Sequence, residues 1–141
     1  MSALLFVDDE PENLEWALNI LRITLSDARI DVTETVEDTI QHLSEKHYDL
    51  MIMDIFIPMG KNAIQTLGPR ARQYQDNMRH LGGLAILDYV EKMASKPKIL
   101  AHTACTDYAL IEVLGDLVYD RIPKPAAVDV LLNEIQRALN D

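Results

Sequence analysis

Apolar and polar positions along the chain follow a repeated strand-helix pattern. "ALLFV" at 3–7 predicts a strand. Pro11 then suits the first turn of a helix, and Leu14, Ala17, Leu18, Leu21 and Leu25 recur at helical spacing, giving that helix one core-facing stripe. "RIDVTE", from Arg29, alternates as a strand does. Thr35-x-x-Asp38 resembles a capping box, with Ile40 and Leu43 turned inward in the helix after it. "LMIM" at 50–53 is continuously apolar, as expected of a central parallel strand covered on both faces. "GLAILDYVEKM" predicts a helix packed through Leu84, Leu87 and Val90. "KILAH" at 98–102 reads as a strand, "DYALIEVLGD" as a helix and "LVYDRI" as the last strand. The final helix, "AAVDVLLNEIQRAL", carries the stripe Val128, Leu131, Leu132, Ile135 and Leu139.

A strand-helix unit repeated in this way predicts an α/β fold, a doubly wound parallel sheet with right-handed crossovers and helices on both faces. At 141 residues, 48% hydrophobic and 26% charged, the chain suits one globular domain with a sizeable core. No apolar run approaches the ~20 residues needed to span a membrane, and "MSALLFVDDE" lacks the basic region and cleavage site of a secretory signal. Cys105 is the single cysteine and cannot form an internal disulfide, which favours a reducing cytoplasm. The net charge of −10 argues against nonspecific nucleic-acid binding, which depends on Lys and Arg neutralising phosphates.

Ligands of open α/β sheets bind outside the carboxyl ends of the strands. Those ends carry Asp8, Asp9 and Glu10 after the first strand, Asp54 after "LMIM", His102-Thr103 after "KILA", and Lys124 just before Pro125. Clustered carboxylates repel one another unless a cation neutralises them. Hard oxygen donors with room for waters suit Mg2+. A carboxylate beside Mg2+, with a lysine and a threonine nearby, is able to accept a phosphoryl group.

The ordered motifs "FVDDE", "DLMIMDIFIP", "LAHTA" and "RIPKP" resemble the receiver domain of two-component response regulators over nearly the whole chain. The resemblance implies a flavodoxin-like (βα)5 fold with strand order 2-1-3-4-5. It implies a signalling phosphoprotein, not a turnover enzyme, that takes a phosphoryl group from a histidine kinase or phosphotransfer protein. By position, Asp54 would be the phosphoacceptor, Asp9 a direct Mg2+ ligand and Asp8 a ligand acting mainly through water. The backbone carbonyl of Phe56 would supply another ligand. Thr103 would bond a phosphoryl oxygen, Ala104 would keep the neighbouring space open, and Lys124 would pair with Asp54 and then with the phosphoryl group. The Lys124–Pro125 bond is often cis in this family. A single receiver domain over 1–141 would signal by contact with a downstream protein whose identity these residues do not give, although the chain could also be part of a longer regulator.

Two features depart from the family pattern. The position three before Lys124, usually aromatic, is Arg121, read as facing solvent; Tyr119 is expected to share its face by strand alternation. Between Pro58 and Gly83 lies an insertion of roughly twenty residues, and loops that long are usually functional or disordered. Residues 59–81 carry Lys61, Arg70, Arg72 and Arg79 against Asp76, a net of +3, leaving −13 on the rest of the chain. "PRARQYQDNMRHL" is able to form a helical turn or more from Pro69. The segment reads as a lid over the acidic pocket, as a partner surface, or as a loop without a special role.

Other residues have simpler readings. His42, His47, His80 and His102 lack zinc-ligand spacing, and His102 should point to the face opposite Thr103, which argues against a catalytic role. Cys105 reads as a small, at least half-buried residue, while Trp16 and Ile20 fall outside the main stripe of their helix. A receiver-like module signalling without phosphate is the alternative function. A phosphatase of the haloacid-dehalogenase type would need an acid where Phe56 stands.

Overall fold

Among the described residues, five parallel strands lie side by side in the order β2-β1-β3-β4-β5. They are β1 (Ala3–Val7), β2 (Arg29–Thr33), β3 (Leu50–Met53), β4 (Lys98–Thr103) and β5 (Asp120–Pro123). The helices are α1 (Glu15–Thr24), α2 (Val36–Glu45), α3 (Pro69–Gln73), α4 (Gly82–Glu91), α5 (Tyr108–Leu114) and α6 (Val128–Asn140). This computed structural model describes residues 2–60, 68–73, 81–105 and 107–141. No helix of the described residues is long and apolar enough to cross a membrane.

Strand alternation divides the core. Leu5, Val7, Met51, Met53, Ile99 and Ala101 meet side chains from α2, α4 and α5 on one face. Leu4, Phe6, Leu50, Ile52, Leu100 and Ile122 meet α1 and α6 on the other. Every residue of β1 and β3 is buried, which explains their unbroken apolar runs. Thr35 caps α2 as its sequence predicts, its Oγ1 accepting the Asp38 N–H at 3.1 Å.

Two boundaries and one face assignment differ from the sequence reading. Pro11–Leu14 forms a 3-10 turn ahead of α1. The last strand begins at Asp120 instead of Leu117, because Gly115–Leu117 closes the preceding helix as a 3-10 turn. Tyr119 and Arg121 do not share an environment. Tyr119 packs beside α6, its ring under Lys98 and Arg137 and its hydroxyl bonded to Asp141, whereas Arg121 is exposed. The alternation expected from a longer strand starts too late to include Tyr119.

The helical turn expected from Pro69 is present as α3. Before it, Val36 and Glu37 donate their N–H groups to the carbonyls of Pro58 and Met59, so the chain leaves β3 across the start of α2. Of the charges in the 59–81 segment, Lys61, Asp76 and Arg79 lie outside the described residues.

Candidate functional site

The register of the sheet sets the geometry of its carboxyl edge. Val7, Met53, Ala101 and Arg121 form one row across β1, β3, β4 and β5. The next residue on each strand's path is Asp8, Asp54, His102 or Ile122. Asp8 and Asp54 still bond in strand fashion, their N–H groups reaching Thr33 and Val7 carbonyls at 3.0 Å each. Asp8 and Asp54 therefore fall on the face that carries Phe6, Ile52 and Ile122.

Both carboxylates are buried, Asp8 to 3% exposure and Asp54 to 6%. Their Oδ1 atoms accept local N–H groups, Glu10 to Asp8 at 2.9 Å and Phe56 to Asp54 at 3.2 Å. Their Oδ2 atoms accept from Lys124 Nζ at 2.5 and 2.9 Å. One ammonium thus joins two carboxylates that come from different strands. Burial alone would depress the Lys124 pKa, but the hydrogen bonds and charges of Asp54 and Asp8 outweigh it and raise the pKa above the usual lysine value. Asp9 is exposed, and its pKa is raised first by partial burial and then by the charge of Asp8. One carboxylate oxygen from each of Asp8, Asp9 and Asp54 lies within 4.8 Å of the others. This all-oxygen donor set suits Mg2+, which keeps waters and takes few carboxylates.

Thr103 ends β4, almost wholly buried, and its Oγ1 accepts the Cys105 N–H at 3.2 Å. Phe56 follows Asp54 by two residues with its side chain partly exposed. Cys105 is buried, and the Lys124–Pro125 peptide is cis. The structure therefore brings Asp8, Asp9, Asp54 and Lys124 together; Thr103 is the last residue of β4, and Phe56 lies just after Asp54.

His102 requires a correction. It does face away from Thr103, but that is the face of Asp8, Asp54 and Lys124, and His102 lines a cavity of about 400 Å3 with Asp8, Asn13, Ala104 and Lys124. Counting alternation from Thr103 missed this, whereas the register row containing Asp54 identifies it. His102 is 5% exposed, and its buried Nε2 has no hydrogen-bond partner among the described residues. Burial, then the Lys124 ammonium, lower its pKa against the pull of Asp8 and Asp54.

His102 consequently favours the folded state above its unfolded pKa of about 6.5, and this contribution is lost as pH falls through the lower folded value. Urea unfolding midpoints should drop between about pH 7 and about pH 5 in the natural chain and drop less in His102→Gln. Equal slopes would contradict the assignment.

Two glycines seat α4 against the turn that follows Asp54. Gly82 and Gly83 donate their N–H groups to the carbonyls of Ile57 and Ile55 at 2.8 and 3.0 Å. A Cβ on Gly82 would stand 2.2 Å from the Ile57 carbonyl oxygen, and one on Gly83 would stand 2.7 Å from the Ile55 Cα. The sequence signalled the helix opening but not this contact with the site's own loop. None of the cavity's lining residues comes from 58–60 or 68–73, so the described parts of the inserted segment do not cover it.

No protein-family model and no curated protein matches the chain. Its shape does match solved structures. The non-phosphorylated HemR receiver domain of Leptospira biflexa aligns at TM-score 0.72 and 18% identity, over 100% of this chain and 96% of that one. The response regulator TrrA of Thermotoga maritima, solved in complex with Mg(2+)-BeF, aligns at 0.65 and 23%, over 99% of this chain and 100% of that one. A CheY-like receiver domain protein of Methanospirillum hungatei aligns at 0.74 and 18%, over 99% and 94% respectively. With its strand order and full-length alignments, the chain has the doubly wound, flavodoxin-like fold of response regulator receiver domains.

Proposed function

We propose that the protein is a response regulator receiver that accepts a phosphoryl group on Asp54 and signals by protein-protein contact. The observation that carries this reading is the junction of Lys124 Nζ with Asp8 and Asp54, 2.5 and 2.9 Å away, beside Asp9. A buried salt bridge is weak evidence for stability. Here it sets a cation against the proposed nucleophile, ready to meet incoming negative charge.

In this reading an Asp54 carboxylate oxygen attacks the phosphorus of a phosphohistidine. A P–O bond forms as the donor's P–N bond breaks, and the released imidazole takes up a proton. Asp8, Asp9, Asp54 and the Phe56 carbonyl would hold Mg2+, which supplies positive charge to the phosphoryl oxygens when bound. Lys124 Nζ would turn from the carboxylates toward the phosphoryl group, and Thr103 Oγ1 would donate to another of its oxygens. Ala104, small and exposed beside the cavity, leaves room for the group.

The donor is proposed to be a histidine kinase or phosphotransfer protein, and the output a downstream protein rather than nucleic acid, given the net charge of −10. A cytoplasmic location accords with the single, unpaired Cys105. Incubation with acetyl phosphate and Mg2+ should add one phosphoryl mass to the natural chain and none to Asp54→Asn. An absent adduct in the natural chain, or an equal adduct in both, would refute the proposal.

A further inference from the structure

Arg70 joins two helices that begin at opposite sides of the site. Helix α4 starts against the Ile55 and Ile57 carbonyls just after Asp54, and α5 begins at Tyr108, five residues after Thr103. Near the far ends of both, Arg70 Nε donates to the Val113 carbonyl of α5 at 2.9 Å, and Arg70 Nη1 donates to Asp88 and Glu91 of α4 at 3.3 and 2.5 Å. Val113 contributes one of the last carbonyls of its helix, which have no intrahelical donor.

Asp88 is the other half of the junction. It is 5% exposed, yet it sits in the midst of an apolar helix. Its Oδ1 accepts the Arg70 N–H at 3.3 Å and its Oδ2 accepts the Ala71 N–H at 3.1 Å. These are first-turn groups of α3, so one buried carboxylate both caps α3 and neutralises its arginine. Ala71 is completely buried in the core beneath. Gly68 lies so close to Asp88 that an added Cβ would meet that side chain at 2.6 Å. A segment with a buried cap, a buried side chain and an arginine shared between two helices is anchored, unlike a surface loop without a role.

We propose that residues 68–73 are a strap that holds α5 against α4 and thereby opposes phosphorylation. The proposal rests on the phosphoacceptor reading above. Thr103 Oγ1 now accepts the Cys105 N–H. When the Thr103 side chain turns to donate to a phosphoryl oxygen, its Oγ1 leaves the Cys105 N–H, and the start of α5 is free to shift. The strap resists at the other end, because displacement of α5 from α4 must stretch the Val113–Arg70–Asp88 chain. Phosphorylation therefore works against the strap, and cutting the strap favours the phosphorylated state.

The test uses the whole chain and measures hydrogen exchange without phosphodonor, then adduct formation with acetyl phosphate and Mg2+. Arg70→Gln should speed exchange at amides 108–114 by about tenfold or more, the scale of one lost charge-assisted hydrogen bond, and leave the strand amides 4–7 and 51–53 unchanged. It should also speed adduct formation several-fold. Arg70→Gln leaves Asp88 buried without its cation, so Arg70→Met/Asp88→Leu, which removes both charges, provides a second cut with the same expected result. Arg72→Gln, at an exposed position of the same helix, should behave as the natural chain does.

Unchanged exchange at 108–114, or an equal rise in the strands, overturns the strap. Faster exchange with unchanged adduct rates overturns its coupling to the site. If the natural chain takes no phosphoryl group, the phosphoacceptor reading fails and the coupling with it, an outcome distinct from equal adduct rates in all variants.

Discussion

Replacing Lys124 by methionine is expected to cost about 3 kcal/mol of stability in chelator-treated protein, at the lower end of the range for breaking a buried ion pair. The lower end applies because the Lys124 side chain is 23% exposed at the cavity mouth, where water partly screens the loss. The cause is the pair left behind: Asp8 and Asp54, each about 95% buried, would face each other without the ammonium that both contact. Two further results follow. Mg2+ should recover more stability in the variant than in the natural chain, since a cation that binds only the folded state shifts the equilibrium toward it. Adding Asp54→Asn should also recover part of the loss by removing one charge.

The pH dependence has a definite sign. Lys124 has a folded pKa above its unfolded value, so its contribution is complete below about pH 10.5 and is lost as pH rises through the folded value. Urea titrations should show that alkaline loss in the natural chain and not in Lys124→Met. A variant as stable as the natural chain without metal would mean that the two carboxylates are not held as a charged pair.

Gly82→Ala is expected to be the other large effect, about 2–3 kcal/mol or more of lost stability, the upper range for overpacking. Its Cβ would lie 2.2 Å from the Ile57 carbonyl oxygen and 2.4 Å from Val36 Cγ2. The valine methyl can rotate aside, but the carbonyl belongs to the turn that leaves Asp54. Relief requires α4 to retreat and break the Gly82 N–H bond to that same carbonyl. The variant should therefore unfold at lower urea and also bind Mg2+ more weakly by calorimetry, because residues 55–57 carry the Phe56 carbonyl, the proposed Mg2+ ligand. A stability loss with unchanged Mg2+ affinity would separate the turn from the proposed metal site.

The sheet and most of the site were legible because each rests on local pattern. Continuous apolar runs mark β1 and β3, and acids directly after them must lie at the edge where water and cations reach. Lys124 was legible for the same reason at the end of β5. What was not legible depends on register or on long-range pairing. His102 looked remote when counted from Thr103, yet it lines a cavity with Asp8 and Lys124. Asp88 looks like a polar position on a helix, and nothing in its neighbours announces that Arg70, 18 residues earlier, supplies its charge partner. Tyr119 was placed with Arg121 on the premise of a strand that begins too late to include it. Periodicity reports which face a residue takes within an element, but not which distant residue waits there.

The central claim is that Asp54 is the phosphoryl acceptor, and chemical trapping tests it most directly. The natural chain is treated with acetyl phosphate and Mg2+, reduced with borohydride so that an acyl phosphate on aspartate becomes homoserine, digested and sequenced by mass spectrometry. The account predicts conversion at Asp54 alone, dependent on Mg2+ and absent in Asp54→Asn. Conversion at Asp8 or Asp9, or none at any residue, would contradict it.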